Sequence, residues 1–333
     1  MALPTYSKSV GTVFTIAART HLKTVATDNF YTKCPLYEEL RKNKMSKVMG
    51  GQTLVVPVLN GASPLGGAYS KAATIPMQDS EVLTEAQFPW SFYQEPVVIY
   101  HQDLWTARGE EAILDLVKIK TEVAVKKLKR SIFTALYAAS PVAGLDLLGL
   151  PAAIATTPAS SGSYGNLDGS ASAQSWWRNY SASGGSFASG GVEALVAMFR
   201  TLADQSDAGK PTAAFTDPTT WGYIHKEVIG HFETHAMVDS RAQQYCDLGF
   251  QAISFMGTPI VSDPFCTSGV IYAINSEACQ LIEMKDAAFQ LHPDGFVSDL
   301  PNRQMAWVSS VLWNGQVATF ERRALGKVYN ISA

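Results

Sequence analysis

The residues best suited to chemistry sit in one short run, His231-Phe232-Glu233-Thr234-His235. Two imidazoles four residues apart face the same side of a helix, an arrangement that suits zinc. The metalloprotease pattern needs a glutamate directly after the first histidine, and here Glu233 comes one place later. At about 100° per residue that carboxylate is turned off the site. His225 is the nearest further ligand. The run reads as surface or interface histidines with no metal bound. A metal-dependent hydrolase built on His231 and His235 is the competing reading from another functional class.

Other chemistry has less support. The 333 residues contain no Gly-x-Ser-x-Gly elbow, no Gly-x-x-x-x-Gly-Lys-Ser/Thr loop and no Gly-x-Gly-x-x-Gly fingerprint. Cys34, Cys246, Cys266 and Cys279 lack metal-ligand spacing and read as reduced, mostly buried thiols. Asp263, Asp294 and Asp299 lie in segments with Pro or Gly nearby, where turn formation is the commoner role of aspartate. The expectation is a chain with no catalytic residue, no metal and no cofactor.

The elements that carry these residues belong to a weakly charged, aromatic-rich chain. Charged residues are 17% against about 25% in an ordinary domain, while Tyr 13, Phe 15, Trp 7 and Gly 25 fill the gap. Such a composition suits a chain that buries much surface against partners. A net charge of −3 gives no global basic field, so any contact with nucleic acid is local and non-specific. No signal peptide and no apolar run of about 18 residues is present, so no membrane association is expected.

Residues 1–19 read as an arm without a core of its own, and residues 20–44 as a short helical region broken at Pro35, with Leu36, Tyr37 and Leu40 on one face. A strand from Gln52 to Leu59 and a strand-like run from Glu85 to Tyr100 bracket a Gly- and Pro-rich tip, which suggests an extended hairpin. Residues 110–139 form the clearest helix, with Leu116, Val117, Ala124, Leu128, Phe133 and Leu136 on its apolar side and a lysine-rich solvated face. Residues 140–191 are dominated by turns. A second helix covers 192–205, with Leu195, Val196, Phe199 and Leu202 on its apolar face. Alternating strands and helices follow over 211–300. Asn314-Gly315, between two apolar runs, predicts a hairpin turn near the end.

Several stretches resemble known sequences. Pro35-Leu36-Tyr37-Glu38-Glu39-Leu40 followed by Gly50-Gly51-Gln52-Thr53-Leu54-Val55-Val56-Pro57, then Ser175-Trp176-Trp177-Arg178-Asn179, then Gly249-Phe250-Gln251-Ala252, Met256-Gly257-Thr258-Pro259-Ile260-Val261 and Tyr272-Ala273-Ile274-Asn275, resemble in order the Hong Kong 97-type major capsid proteins of tailed bacteriophages. The resemblance implies an α+β fold with an N-terminal arm and short helix over 1–45, an extended loop (E-loop) over 46–106, a peripheral domain with its spine helix over 107–212, an axial domain over 213–303 and a return to the peripheral domain over 304–333.

It also implies a shell subunit that assembles with itself as hexamers and pentamers around double-stranded DNA, touching that DNA non-specifically. The chain begins at Met1 without a long charged helical extension, which gives the expectation that no built-in scaffold is cleaved and that a separate scaffolding protein guides assembly. A portal and an optional decoration protein complete the implied partners. The implied location is the virion, after assembly in the host cytoplasm. An encapsulin-type nanocompartment shell is the alternative within the same architecture. Within the tip, Tyr69, Lys71, Ile75 and Met77 are the candidate assembly contacts. Some relatives join an E-loop lysine to an asparagine of a neighbour. Lys71 and Asn330 lie in the corresponding regions, no carboxylate can be assigned to take the proton, and no cross-link is expected.

Overall fold

The computed structural model describes residues 33–42, 47–48, 51–60, 68, 70–71, 82–106, 110–231, 252–298 and 305–332. In chain order the elements are α1 (Pro35–Lys42), β1 (Lys47–Val48), β2 (Thr53–Leu59), β3 (Leu83–Pro89), β4 (Ser91–Tyr100), α2 (His101–Thr106) and α3 (Glu110–Leu136). Then come α4 (Leu150–Ala153), β5 (Ser163–Tyr164), β6 (Leu167–Asp168), β7 (Tyr180–Ser186), α5 (Val192–Gln205), β8 (Ala213–Thr216) and α6 (Pro218–His231). The last are β9 (Ala252–Phe255), β10 (Thr258–Ser262), β11 (Ile271–Ile274), β12 (Cys279–Leu291), β13 (Val297–Ser298), β14 (Ala306–Thr319) and β15 (Gly326–Ser332). The chain divides into a larger unit, Cys34–Ser91, Phe133–Lys285 and Gly315–Ala333, and a smaller one that includes Phe92–Ile132 and Asp286–Asn314. The boundaries fall inside β4, α3, β12 and β14, so these four elements contribute to both.

The larger unit is built on a six-stranded sheet of order β7-β15-β11-β8-β10-β9. β15 runs parallel to β7 and β10 parallel to β8, while β11 is antiparallel to both of its neighbours. One face carries α5, whose Leu195, Met198, Phe199 and Leu202 are sealed against Ala214, Ile260, Ile271 and Val328. Each such side chain contributes about 1.5–3 kcal/mol when fully buried. The expected inward Val196 is exposed and Met198 takes its place, because 195, 198, 199 and 202 complete one helical stripe and 196 lies off it. Asp217 caps α6, accepting from the Thr219 and Thr220 amides at 3.1 and 3.3 Å.

Two expectations are corrected in this unit. Pro35 opens α1, where the first helical position needs no amide donor, and residues 20–32 of the expected helical region lie outside the described residues. Leu36, Tyr37 and Leu40 are nonetheless buried together as their spacing requires. Tyr180–Ser186, inside the turn-rich stretch, is a full strand on the sheet edge, and a Cβ on Gly184 would meet Ile331 and Val328 at 2.9 and 3.0 Å. Here glycine serves close strand packing, not a turn. Asn314-Gly315 makes no hairpin: β14 runs unbroken through both, and neither residue takes the positive φ that a two-residue turn demands. Burial along β14 of Val311, Trp313, Val317 and Ala318 outweighs the local preference of the dipeptide.

The strand expected over Glu85–Tyr100 is two strands with Trp90 buried between them. β3 pairs with β2 from Thr53↔Pro89 to Leu59↔Leu83, whereas β4 pairs with β14. Pro89 has no amide to extend the first ladder, and the chain leaves β2 there.

In the smaller unit α3 buries Leu116, Ala124, Leu128 and Ile132, all four-residue multiples on one side. β13 pairs antiparallel with β14 through Val297↔Val308 and Ser298↔Trp307. Trp313 is fully enclosed, with the Tyr93 and Phe289 rings at 5.9 and 6.4 Å.

Candidate functional site

The β2–β3 hairpin has a sharp division along its length. Strand alternation puts Leu54, Val56, Val58, Ala86 and Phe88 on one buried face. Its root is seated on the short β5–β6 hairpin. Gly165 and Asn166 there have φ of 65° and 62°, and Gly165 accepts the Gln87 amide at 2.9 Å. A Cβ at Gly165 would come within 2.9 Å of the Phe88 ring, so only glycine lets the hairpin lie this close. Phe88 also meets the Tyr164 ring at 5.1 Å. At the far end the Leu59–Leu83 pair is 71% and 64% exposed.

Beyond Leu59–Leu83 lies the segment that holds the candidate contacts. Lys71 is exposed. Tyr69, Ile75 and Met77 lie outside the described residues, so the structure does not bring the four together.

The root is fastened by buried polar side chains that no sequence motif announces. Gln316 donates to the Pro89 carbonyl at 2.7 Å and accepts the Leu148 amide at 2.9 Å. Arg322, 1% exposed, donates to the carbonyls of Ala153 at 2.7 Å, Trp177 at 3.3 Å and Gly162, and lies 5.2 Å over the Tyr164 ring. Burial brings this guanidinium down to about 10. Asp263, expected to form only a turn, does accept the Phe265 amide at 3.0 Å. Its other oxygen also receives Cys34 Sγ at 3.1 Å, Tyr137 Oη at 3.0 Å and the Leu36 amide at 3.5 Å. Burial raises the Asp263 carboxyl, and the Cys34 thiol and Tyr137 hydroxyl rise with it, first by burial and then by the charge beside them. Cys34, Cys266 and Cys279 are free and buried, as the sequence suggests, while Cys246 lies outside the described residues.

The smaller unit presents a surface that sequence reasoning missed. Trp105 is 70% and Met305 61% exposed, and Tyr100 and Trp307 are exposed beside them in sequence. The His101 ring lies 6.2 Å from Trp105 and 5.9 Å from Trp307, and its backbone amide donates to the Met305 carbonyl at 3.0 Å. The signal was a run of large aromatics ending at Trp105 with no apolar period to bury them.

The lysines of α3 are less free than a solvated face implies. Lys120 donates to Asp103 at 2.9 Å and to the Val98 carbonyl at 3.1 Å. Lys127 pairs with Glu95 at 3.5 Å, and Lys129 sits 5.5 Å over the Phe289 ring. These three lysines therefore fasten the helix within its own unit.

His231 is the last residue of α6, its side chain undescribed, and His235 lies outside the described residues. His225 is exposed against the Trp221 ring at 5.0 Å. Among the described residues no three metal-capable side chains cluster, and no helix is long and apolar enough to cross a membrane.

No family model and no curated protein matches the sequence. Solved structures do. The capsid asymmetric unit of cyanophage A-1(L) superposes with a TM-score of 0.69 at 14% identity, covering 93% of this chain and 96% of that one. The capsid of the myovirid phage XM1 gives 0.56 at 12% identity over 92% and 94%, and a chain of Mycobacterium phage Adephagia 0.55 at 12% over 96% and 97%. At these identities the likeness establishes the fold, and it spans nearly the whole chain: the α+β fold of Hong Kong 97-type capsid subunits.

Proposed function

We propose that this chain is the major capsid protein of a tailed, double-stranded DNA bacteriophage, assembling with itself as hexamers and pentamers into the icosahedral shell. The observation that carries the reading is the shared fold over 93% of this chain and 96% of the cyanophage capsid subunit. The hairpin supports it: a rooted β-ribbon whose distal end exposes Leu59 and Leu83 suits a chain that completes itself on a neighbour. Heterologous contacts of this kind close into rings, and many weak contacts together hold a shell.

On this reading the chain is a structural subunit and not a catalyst. The domain division is the one given by the resemblance: arm 1–45, E-loop 46–106, peripheral domain 107–212, axial domain 213–303 and returning segment 304–333. Tyr69, Lys71, Ile75 and Met77 anchor the E-loop tip on an adjacent subunit. A separate scaffolding protein, a portal, non-specifically held DNA and an optional decoration protein are the partners. The shell is assembled in the host cytoplasm and resides in the virion.

Deleting 62–82 tests the reading directly. The hairpin root and the six-stranded sheet are untouched, so circular dichroism should show a folded subunit, while electron microscopy should show no closed shells. Normal shells from the deletion protein, or no shells from the full chain expressed with its scaffold, would overturn it.

A further inference from the structure

One buried carboxyl of the larger unit is gripped from three parts of the chain. Asp263, which follows β10, is fully buried. Cys34 Sγ and the Leu36 amide reach one of its oxygens from the start of α1, and Tyr137 Oη reaches the same oxygen from just beyond α3. The Phe265 amide of its own loop donates to the other oxygen. Among the described residues no cation pairs with it. The titratable groups that face it are Cys34 of α1, Tyr137, and Cys266 of its own loop. Tyr272 of β11 stands behind Tyr137 with the rings 6.2 Å apart, and Asp217 bears on Cys266. Burial pushes both thiols and both phenols upward, so they stay proton donors over the range in which a carboxyl titrates.

A buried carboxylate without a cation is held only by its donors, and its ionised form gains by reaching water. Two of the donors, Cys34 and Leu36, sit on the smallest of the gripping parts: α1 has 8 residues, against 27 in α3 and a six-stranded sheet behind Asp263. Small elements of this kind open locally at less cost than a whole unit. Lifting α1 removes both donors and admits water to the carboxyl. The carboxyl then returns to about 3.9, below the raised position that burial gives it in the docked state. Docked α1 therefore binds the proton more tightly than lifted α1. By linkage, docking is strongest below about pH 3.9 and weakens as pH rises through the higher docked value.

We propose that Asp263 is a proton-operated latch for α1: protonated, it keeps the helix docked on the larger unit, and ionised, it lets the helix lift. α1 is then the first part of this unit to open as pH rises. Lifting uncovers Leu36, Tyr37 and Leu40, all buried in the docked state, and moves the point at which residues 1–33 join the fold. The latch lies within one subunit and needs no partner, so its test does not depend on the shell reading.

The test is amide hydrogen exchange of the full, unassembled chain between pH 4 and pH 8. Mass spectrometry reads it as protection relative to the unfolded chain at each pH. α5 serves as the reference for opening of the whole unit. α1 should be at least about tenfold less protected than α5, and low urea should speed exchange in α5 but hardly in α1, the mark of a local opening. Protection of α1 should fall by up to about tenfold per pH unit from about pH 4 and then level off. Alkylation of Cys34, divided by its rate in the unfolded chain, should rise in step, while Cys279, buried against Thr319, should not follow. Asp263→Asn should make α1 protection independent of pH. Should that variant not fold, Cys34→Ala removes one donor to the ionised form, and the decline should then extend to higher pH. Protection of α1 that stays constant or grows with pH would overturn the proposal. Joint loss of α1 and α5 would overturn it too, by showing that the unit opens only as a whole, as would a wild-type profile in either variant.

Discussion

In the larger unit the big side chains are sealed: Phe88, Trp177, Phe187 and Phe215 are each within 1% of full burial, and an arginine is enclosed with them. In the smaller unit Trp313 is enclosed, but Phe92, Tyr100, Trp105 and Met305 are left largely in water. The polar groups differ in the same direction. Arg322, Gln316 and Asp263 in the larger unit spend their hydrogen bonds on backbone and side-chain partners deep inside. In the smaller unit Lys127–Glu95 is a partly exposed surface tie, and Lys120 reaches a buried Asp103 from a position still open to water. Apart from the hairpin end at Leu59 and Leu83, the larger unit has the character of a self-sufficient core. The smaller unit keeps apolar surface that a solitary soluble protein would hide, which fits the shell role proposed above.

The sharpest way to break this contrast is Arg322→Met. The methionine fills some of the space but leaves three buried carbonyls without donors, each costing about 1–3 kcal/mol. The subunit should lose roughly 3–5 kcal/mol in urea denaturation; a loss below about 1 kcal/mol would show that the arginine is not what fastens the 150–178 segment. Next is Gly165→Ala. The left-handed conformation costs an L-residue about 1–2 kcal/mol, and the new methyl group also crowds Phe88. A loss of about 2–3 kcal/mol is expected, with Gly165→Asn milder because asparagine tolerates that backbone.

A smaller effect separates the buried carboxylate from the surface ones. Burial raises the Asp263 carboxyl, so the folded chain holds its proton more tightly than the unfolded chain does. Its contribution is complete below the unfolded value of about 3.9 and is lost as pH rises through the higher folded value. Asp263→Asn should therefore flatten the decline of stability from about pH 4 upward relative to wild type. Parallel stability–pH curves for the two proteins would remove Asp263 from this role. The least effect on the subunit is expected from Trp105→Ser, within about 0.5 kcal/mol of wild type, since the side chain is already in water. Shell yield should nonetheless fall severalfold. A destabilised subunit, or shells at full yield, would erase the distinction between the two regions.

Much of the local structure was legible in the sequence because local physics sets it. The stripe Leu195, Phe199, Leu202 and the face Leu36, Tyr37, Leu40 follow from helical spacing, and the β9–β10 pair follows from apolar runs around Met256-Gly257. The ordered resemblance of short motifs pointed to a fold that the superpositions bear out. The candidate contacts were read from a tip whose anchors, Tyr69, Ile75 and Met77, fall outside the described residues; of the four only the exposure of Lys71 is defined.

What the tertiary structure alone decided are pairings between residues far apart in the chain. Asn314-Gly315 has the local chemistry of a turn, yet burial of Trp313 and Val317 in a continuous strand overrides it. Ser181 and Lys327, or Cys34, Tyr137 and Asp263, become neighbours only when the sheet and α3 are assembled. Propensity and periodicity act over a few residues, so they fix elements. Burial and hydrogen-bond satisfaction act across the whole fold, so they alone choose which strand a Gly- and Ser-rich segment becomes and which distant polar groups meet inside it.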